Sequence, residues 1–414
     1  MVVKNIKIQN GYKDSEIGLI PETWEIKSFE EIGQCLIGLT YKPENVKNYG
    51  LLVLRSSNIG GNNLKFEDNV YVDIEVDEKI KVKENDLLIC VRNGSRNLIG
   101  KCALIDKRTE GSTFGAFMSV FRSPINEFIY YCFQSETIKK QIQSNLGATI
   151  NQITNKNLNS FIVALPNDSN ERSAITTALS DLDSLIFTLE KLIIKKRLIK
   201  QGTMQLLLTG KKRLQGFNDN WVEKKLGDIA EIISGGTPST SVSNFWNGDI
   251  KWCTPTDITN TKGKYIYDTE KKITIEGLKS SSATLLPIGS LLLCSRATIG
   301  DIRIAASEIS TNQGFKSLIP FHQISGEFIF YYIQMHKHLL IEKAIGSTFL
   351  EISKKDTFDL ILKIPPTKEE QTEIANVLSV MDMEIEKIEQ KLVKYKNIKL
   401  GMIQDLLTGK RRLV

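Results

Sequence analysis

Asp257, Glu270 and Lys272 set an acidic residue ahead of a Glu-x-Lys, the order in which metal-dependent nucleases hold Mg²⁺ and activate water. With 54 Lys+Arg and 48 Asp+Glu in the chain, such spacings arise easily. The chain also holds a second copy of this segment, in which Asn58 stands where Asp257 does. A solvated strand-loop face is therefore expected, with a stand-alone Mg²⁺-dependent nuclease as one alternative and a coiled-coil scaffold joining two protein-binding domains as another. Other catalytic signatures fail on spacing. Gly210-Lys211 is followed by Lys212 rather than Ser or Thr, so it is no phosphate-binding loop. No Gly-x-Gly-x-x-Gly follows a strand, which leaves a dinucleotide or S-adenosylmethionine pocket unsupported. Pro365-Pro366 lacks the preceding Asn or Asp and the following aromatic of a base-flipping methyltransferase. Cysteines 35, 90, 102, 132, 253 and 294 form no C-x-x-C pair, and there are three histidines, so zinc is not expected and a reducing compartment is. Neither catalysis nor a cofactor is expected of this chain.

What remains is polar loop chemistry. Arg55, Ser56 and Asn58 lie in a loop equivalent to that of Thr254, Thr256 and Asp257. Arg92, Asn93 and Arg96 answer Arg296 and Thr298. Arg grips guanine bidentately, Asn or Gln grips adenine, and Asp accepts from cytosine. Each residue alone reads as a turn residue or surface ion pair. Their recurrence with different side chains reads as one scaffold with two readers. Basic runs add to this: 191–213 holds eight Lys/Arg and no acid, and 387–412 holds eight against Glu389 and Asp405. Such runs are ordinarily solvated helix faces, and otherwise meet phosphates or an acidic partner.

The elements that must position these groups are written twice. Residues 199–214 (IKQGTMQLLLTGKKRL) and 398–413 (IKLGMIQDLLTGKRRL) agree at 11 of 16 positions. FIVALP (161–166) answers LILKIP (360–365), FIYY (128–131) answers FIFY (328–331), and LLICVR (87–92) answers LLLCSR (291–296). The period is too long for a solenoid, so a whole domain with its following segment is duplicated. In 17–166 and 215–365, short apolar runs alternate with Gly, Asn, Ser and Thr clusters, and 126–146 and 326–345 each add a helix. These read as mixed α+β domains.

The segments after them carry a 4,3 apolar seam. It runs through Ile175, Leu179, Leu182, Ile186, Leu189 and Ile193, and again through Ile374, Leu378, Met381, Ile385, Ile388, Leu392 and Tyr395. That pattern predicts two long helices pairing as an antiparallel coiled coil. The expected organisation is a globular domain over 1–166, a helix over 167–214, a second domain over 215–365 and a second helix over 366–414, with a pseudo-twofold repeat and the two domains at opposite ends of the rod. The longest near-apolar stretch, 285–294, holds Pro287, Gly289 and Ser290, too short and broken to cross a bilayer. MVVKNIKIQN shows no signal-peptide core, and a cytoplasmic protein is expected. A net charge of +6 permits a polyanion partner.

As an ordered, duplicated set these motifs resemble the specificity subunit of type I restriction-modification systems over nearly the whole chain. The set comprises Trp24 and Trp221, the Gly-Ala/Ser-Thr elements at 147–149 and 346–348, and Pro166 and Pro365 closing strands. It continues with Glu171-Arg172 and Glu370-Gln371 opening helices that carry Asp183 and Asp382, and ends in LLLTGKKR and LLTGKRR. The resemblance implies two target recognition domains, each reading half of a bipartite asymmetric double-stranded DNA site. It implies helices that set the half-site spacing and dock two modification (methyltransferase) subunits and, through them, restriction subunits. Methyl transfer and cleavage would belong to those partners. Arg172 standing where the second copy has Gln371 suggests two non-equivalent docking surfaces.

Overall fold

Leu87–Cys90 and Leu291–Leu293 are buried throughout, as expected of strands covered on both faces, and each is a central strand of a largely antiparallel sheet. The computed structural model describes residues 11–146, 151–344 and 350–413. The Gly-Ala/Ser-Thr elements at 147–149 and 346–348 lie outside the described residues. The chain divides into two units, one of residues 1–188 with 392–414 and one of residues 189–391.

In the first unit the order is Cys102–Leu104, Leu87–Cys90, Met118–Arg122, Gln34–Ile37, all antiparallel. A second sheet places Thr113–Phe114 parallel to Leu51–Leu54, followed by Val70–Val72 and Val46–Lys47. Trp24–Ser28 pairs with Ile162–Pro166, so the start and finish of the domain meet in one ribbon. The second unit repeats the plan with five strands, Ala230–Ser234, Lys316–Pro320, Leu291–Leu293, Ile302–Ala305 and Tyr265–Ile266. Its second sheet has three strands, and its closing ribbon is Val222–Lys225 with Ile361–Ile364. The single late helix expected in each half is broken in two. Ser135 caps Glu136–Asn145 after Asn126–Cys132, and His336 separates Gly326–Met335 from Lys337–Glu342.

The long helices are Ser169–Leu207 and Lys368–Leu406, and Gly202 and Gly401 interrupt neither. All six seam residues of the first are buried. In the second, Ile374, Leu378 and Ile385 are buried and Met381, Ile388, Leu392 and Tyr395 half-buried. In the first unit, Ile175 and Leu179 share a core with Ile403, Leu406 and Leu407. In the second, Leu207 and Leu208 share one with Ile374, Ala375 and Leu378. Within each unit, then, the opening turns of one helix lie antiparallel to the closing turns of the other.

Two polar locks fix that pairing, and each occurs in both units. Tyr131 Oη donates to Asp183 (3.1 Å) while Lys399 pairs with the other carboxylate oxygen (2.6 Å). Correspondingly, Tyr331 donates to Asp382 (2.7 Å), which also binds Lys200. The second lock is a buried carboxylate. Glu171 accepts from the Trp24 indole (3.1 Å) and from Arg412, and Glu370 accepts from Trp221 (3.3 Å) and from both Arg213 Nε (2.7 Å) and Nη2 (2.8 Å). The glycine of each LTGK tail packs on that tryptophan: Gly210 and Gly409 have φ of +70° and +69°, and a Cβ there would meet Trp221 or Pro21 and Trp24. Much of the basic runs is therefore engaged by carboxylates of the same unit, as Arg213 is by Glu370 and, at the surface, Lys196 by Glu384 (2.7 Å).

Arg172 and Gln371 make the same kind of contact in the two copies. Arg172 donates to the Pro166 carbonyl, and Gln371, fully buried, donates to the Pro365 carbonyl (3.0 Å). Both close the end of the strand that finishes the domain, Arg172 while half-buried. All six cysteines are free thiols, and among the described residues no helix is long and apolar enough to cross a membrane.

Candidate nucleic-acid interface

In the first unit, four loops converge beyond the central strands. Arg92 N–H donates to the Phe117 carbonyl (3.1 Å), and Asn93 N–H to the Asn151 carbonyl (3.3 Å). Asn93 Nδ2 reaches Ser56 Oγ (3.1 Å), and Gly115 N–H reaches Leu54 O (2.9 Å). Arg92 is exposed, and its guanidinium lies over the Phe117 ring, 4.8 Å from the centroid. Phe117 itself is 55% exposed, so the stacked pair faces solvent. Arg92 forms an isolated antiparallel bridge with Gln152.

The second unit builds the same junction with different chemistry. Arg296 bridges Glu351 at the backbone, and Ile352 N–H donates to Ser295 O as Ile153 does to Val91 O. Here the side chains pair as well: Arg296 to Glu351 at 2.7 Å, with Lys316 on the other carboxylate oxygen at 3.3 Å. Burial opposes ionisation of Glu351, but hydrogen bonds from Arg296 and Lys316 hold it below the usual carboxylate range. The loop is also shorter. Arg92 to Gly100 is answered by Arg296 to Gly300, four residues fewer, and the tight turn places Ala297 at φ +57°.

The sequence-predicted residues sort themselves by geometry. Ser56, Arg92, Asn93 and Arg296 come together at the loop junctions. Arg55 leans away to Asp68 (2.9 Å), and Arg96 is exposed at the far end of its loop. Asn58 is fully buried. Its side chain accepts from Arg55 N–H (2.9 Å) and donates to Lys65 O and Asn69 Oδ1 (both 3.0 Å). Asp257 does the same work in the second unit, accepting from Thr254 N–H (2.8 Å), Thr254 Oγ1 (2.6 Å) and Glu270 N–H (2.9 Å). Both hold turns in shape, Asn58 fully buried and Asp257 half-buried. Thr256 is exposed beside that turn, while Thr298 is half-buried, its N–H closing onto Arg296 O (2.6 Å).

The nuclease trio does not assemble. Both Asp257 oxygens are committed to N–H and O–H donors, and Lys272 pairs with Asp268 (3.4 Å) instead. Among the described residues no cluster of His, Cys, Asp or Glu could hold a metal ion. Sequence reasoning missed Phe117, Gln152, Lys316 and Glu351. Gln152 and Glu351 were within reach, because they stand at equivalent positions of the duplication with different charges.

The profile of the "Type I restriction modification DNA specificity domain" family matches residues 21–198 and again 218–395. Over 170 residues the chain is 41% identical to the MjaIX type I restriction enzyme specificity subunit of Methanocaldococcus jannaschii, covering 40% of this chain and 39% of that protein. It is 27% identical over 432 residues to the putative MjaX specificity subunit of the same organism, covering 98% and 97% of the two chains. Among solved structures it is similar in fold to the S subunit of a type I restriction-modification system from M. genitalium (TM-score 0.60, 15% identity, 97% and 98% of the chains).

Proposed function

The chain belongs to the type I restriction modification DNA specificity family, matched twice along its length, and from that premise we propose that it is the non-catalytic, sequence-reading subunit of a type I restriction-modification complex. Each unit reads one half of a bipartite, asymmetric site in double-stranded DNA. Two modification subunits dock on the long helices and supply adenine methylation with their own methyl donor, and restriction subunits join through them. Such a subunit works in the cytoplasm, where the DNA is.

One observation carries the reading. The two units hold an equivalent arginine on an equivalent backbone bridge and give it opposite surroundings: Gln152 and an exposed Phe117 around Arg92, Glu351 and Lys316 around Arg296. A scaffold held constant while its exposed polar groups change is what two different half-sites require. Arg92, stacked and with no carboxylate partner among the described residues, can grip a guanine edge bidentately. Arg296 is part-neutralised, and Glu351 beside it offers an acceptor suited to the cytosine amino group. The deciding experiment maps methylated adenines genome-wide with and without this gene. A bipartite motif that vanishes with the gene supports the reading, and an unchanged methylome refutes it.

A further inference from the structure

Two stretches of the second unit cross at contact distance. A Cβ on Gly235 would stand 2.0 Å from the Asn312 carbonyl oxygen, so only glycine lets the loop after Ala230–Ser234 pass there. Gly236 N–H donates to Thr311 O (2.9 Å), and the Trp252 indole donates to Gly236 O (2.9 Å). The next residue, Thr237, follows from that fixed backbone, and its hydroxyl donates to Gln313 Oε1. Gln313 is held from its own side as well. Asn312 N–H donates to Cys253 O (3.0 Å), Asn312 Oδ1 accepts from Gly314 N–H (2.9 Å), and Gly314 O accepts from Ser295 N–H (2.8 Å). Ser295 leads directly into Arg296, and Lys316, just past Gly314, pairs with Glu351 (3.3 Å). The turn that carries Gln313 is therefore joined to the junction of Arg296 and Glu351. Thr237 and Gln313 are both exposed, and Gln313 Nε2 donates to no group among the described residues.

The duplication supplies an internal comparison. In the first unit Gly38 makes the same crossing: a Cβ there would stand 2.3 Å from Gly115 O, and Leu39 N–H donates to Phe114 O (2.7 Å). Strand register aligns the turns, since Leu87 faces Phe121 as Leu291 faces Leu318. By that register Thr40 answers Thr237, and Ala116 takes the place of Gln313. The threonine is common to both copies, and the amide belongs to the second alone.

We propose that Gln313 reads an adenine of the second half-site, with Thr237 as its positioning residue, and that the first unit has no polar reader at the equivalent place. The adjacent acceptor and donor of a glutamine amide match the N6 amino group and N7 of adenine. Thr237 takes one lone pair of Oε1 and leaves the other for the amino group, while Nε2 remains for N7. An amide held in advance loses less freedom on binding than a side chain that samples many rotamers. The inference rests on the functional reading above, and it adds to Arg296 and Glu351 a reader suited to a different base.

The test uses the full chain assembled with its modification subunits, reading the methylated motif and the affinity for duplexes altered at single base pairs. Gln313→Ala should relax one A·T pair of one half-site, lowering discrimination there by about 5- to 150-fold, the range of one bidentate contact. The other half-site should stay as in wild type. Thr237→Val keeps the shape and removes the hydroxyl, and should weaken discrimination at the same pair only. Thr40→Val should alter neither half-site. Gln313→Glu keeps an acceptor for Thr237 but loses the donor to N7, and should move the preference at that pair from adenine toward cytosine. A purely structural role would not produce that switch. An unchanged motif in Gln313→Ala overturns the inference, as does an equal loss on every sequence, which would make the residue a phosphate contact. Relaxation at a pair other than A·T, or in the half-site that Arg296→Ala leaves alone, overturns it too. So does failure of both Gln313 variants to assemble, which would make the side chain part of the fold. A full effect of Gln313→Ala with none of Thr237→Val removes the positioning role. A wild-type complex with no bipartite motif sinks the functional reading itself, whereas a normal wild-type motif unmoved by these variants sinks only the reader.

Discussion

Arg412 donates two guanidinium nitrogens to the carboxylate of Glu171, 241 residues earlier in the chain, with Nη2 at 2.8 Å. The Trp24 indole holds the same carboxylate, so the closing tail of the second repeat completes the core of the first unit. In the second unit Arg213, from the tail of the first repeat, does this for Glu370 and Trp221. Each recognition domain is thus finished by the other repeat.

From this we predict that Arg412→Ala destabilises the first unit while leaving the second intact. Glu171 is 1% exposed, and removing its cation leaves a buried carboxylate with one N–H donor. Breaking such a pair costs about 3–5 kcal/mol, and the partial exposure of Arg412 places this case toward the lower end. Hydrogen exchange should accelerate in 12–166 and not in 220–365. Protection lost first in the second unit would contradict the assignment.

We also predict a clean division of labour. Arg92→Ala should relax reading of one half-site, Arg296→Ala that of the other, each by about 1–3 kcal/mol of discrimination. Competition binding against duplexes altered in a single half-site measures it. A uniform loss on every sequence would make the residue a phosphate contact instead.

How much of this was legible in advance depends on the kind of signal. The repeat exposed every lock residue as a recurring letter, Trp24, Tyr131, Asp183, Lys200 and Arg412 among them, because duplication preserves what packing requires. Their roles were hidden, since the partners lie far apart in sequence and the lysine or arginine of each lock comes from the opposite repeat. Asn58 and Asp257 read as loop polars suited to bases, and only their hydrogen bonds show that they serve the backbone. Phe117 gave no signal because a lone aromatic ahead of a strand reads as core. Arg172 and Gln371 looked like a departure, yet a guanidinium and an amide donate equally well to one carbonyl.

Reading by the second unit should be insensitive to pH from 8 down to about 5. Glu351 is depressed below its ordinary value, so it is ionised and paired throughout that range. The sign follows from linkage: the pairing contributes fully above the unfolded carboxylate value and is lost only as pH falls through the lower folded one. Glu351→Gln removes the paired charge at every pH and should alter the preferred second half-site. A preference that drifts between pH 8 and 6 would show that another group sets it.

The last prediction concerns half-site spacing. Asp183 to Lys200 and Asp382 to Lys399 are both steps of 17 residues, so each helix carries the same length of chain between one lock and the next. Duplicating 186–189 in the first helix and 385–388 in the second lengthens both by about one turn without touching a lock. The inserted Ile-x-x-Leu and Ile-x-x-Ile keep apolar residues on the seam, and a four-residue step is absorbed by slight local unwinding of the coil. One turn adds roughly 6 Å, and base pairs stack about 3.4 Å apart, so the spacer between half-sites should grow by one or two base pairs. The half-site sequences should not change, because the reading loops are untouched. Methylome sequencing of the variant reads both quantities at once. An unaltered spacer with full methylation would mean that the helices do not set the distance, and a changed half-site would mean that the loops are not independent of them.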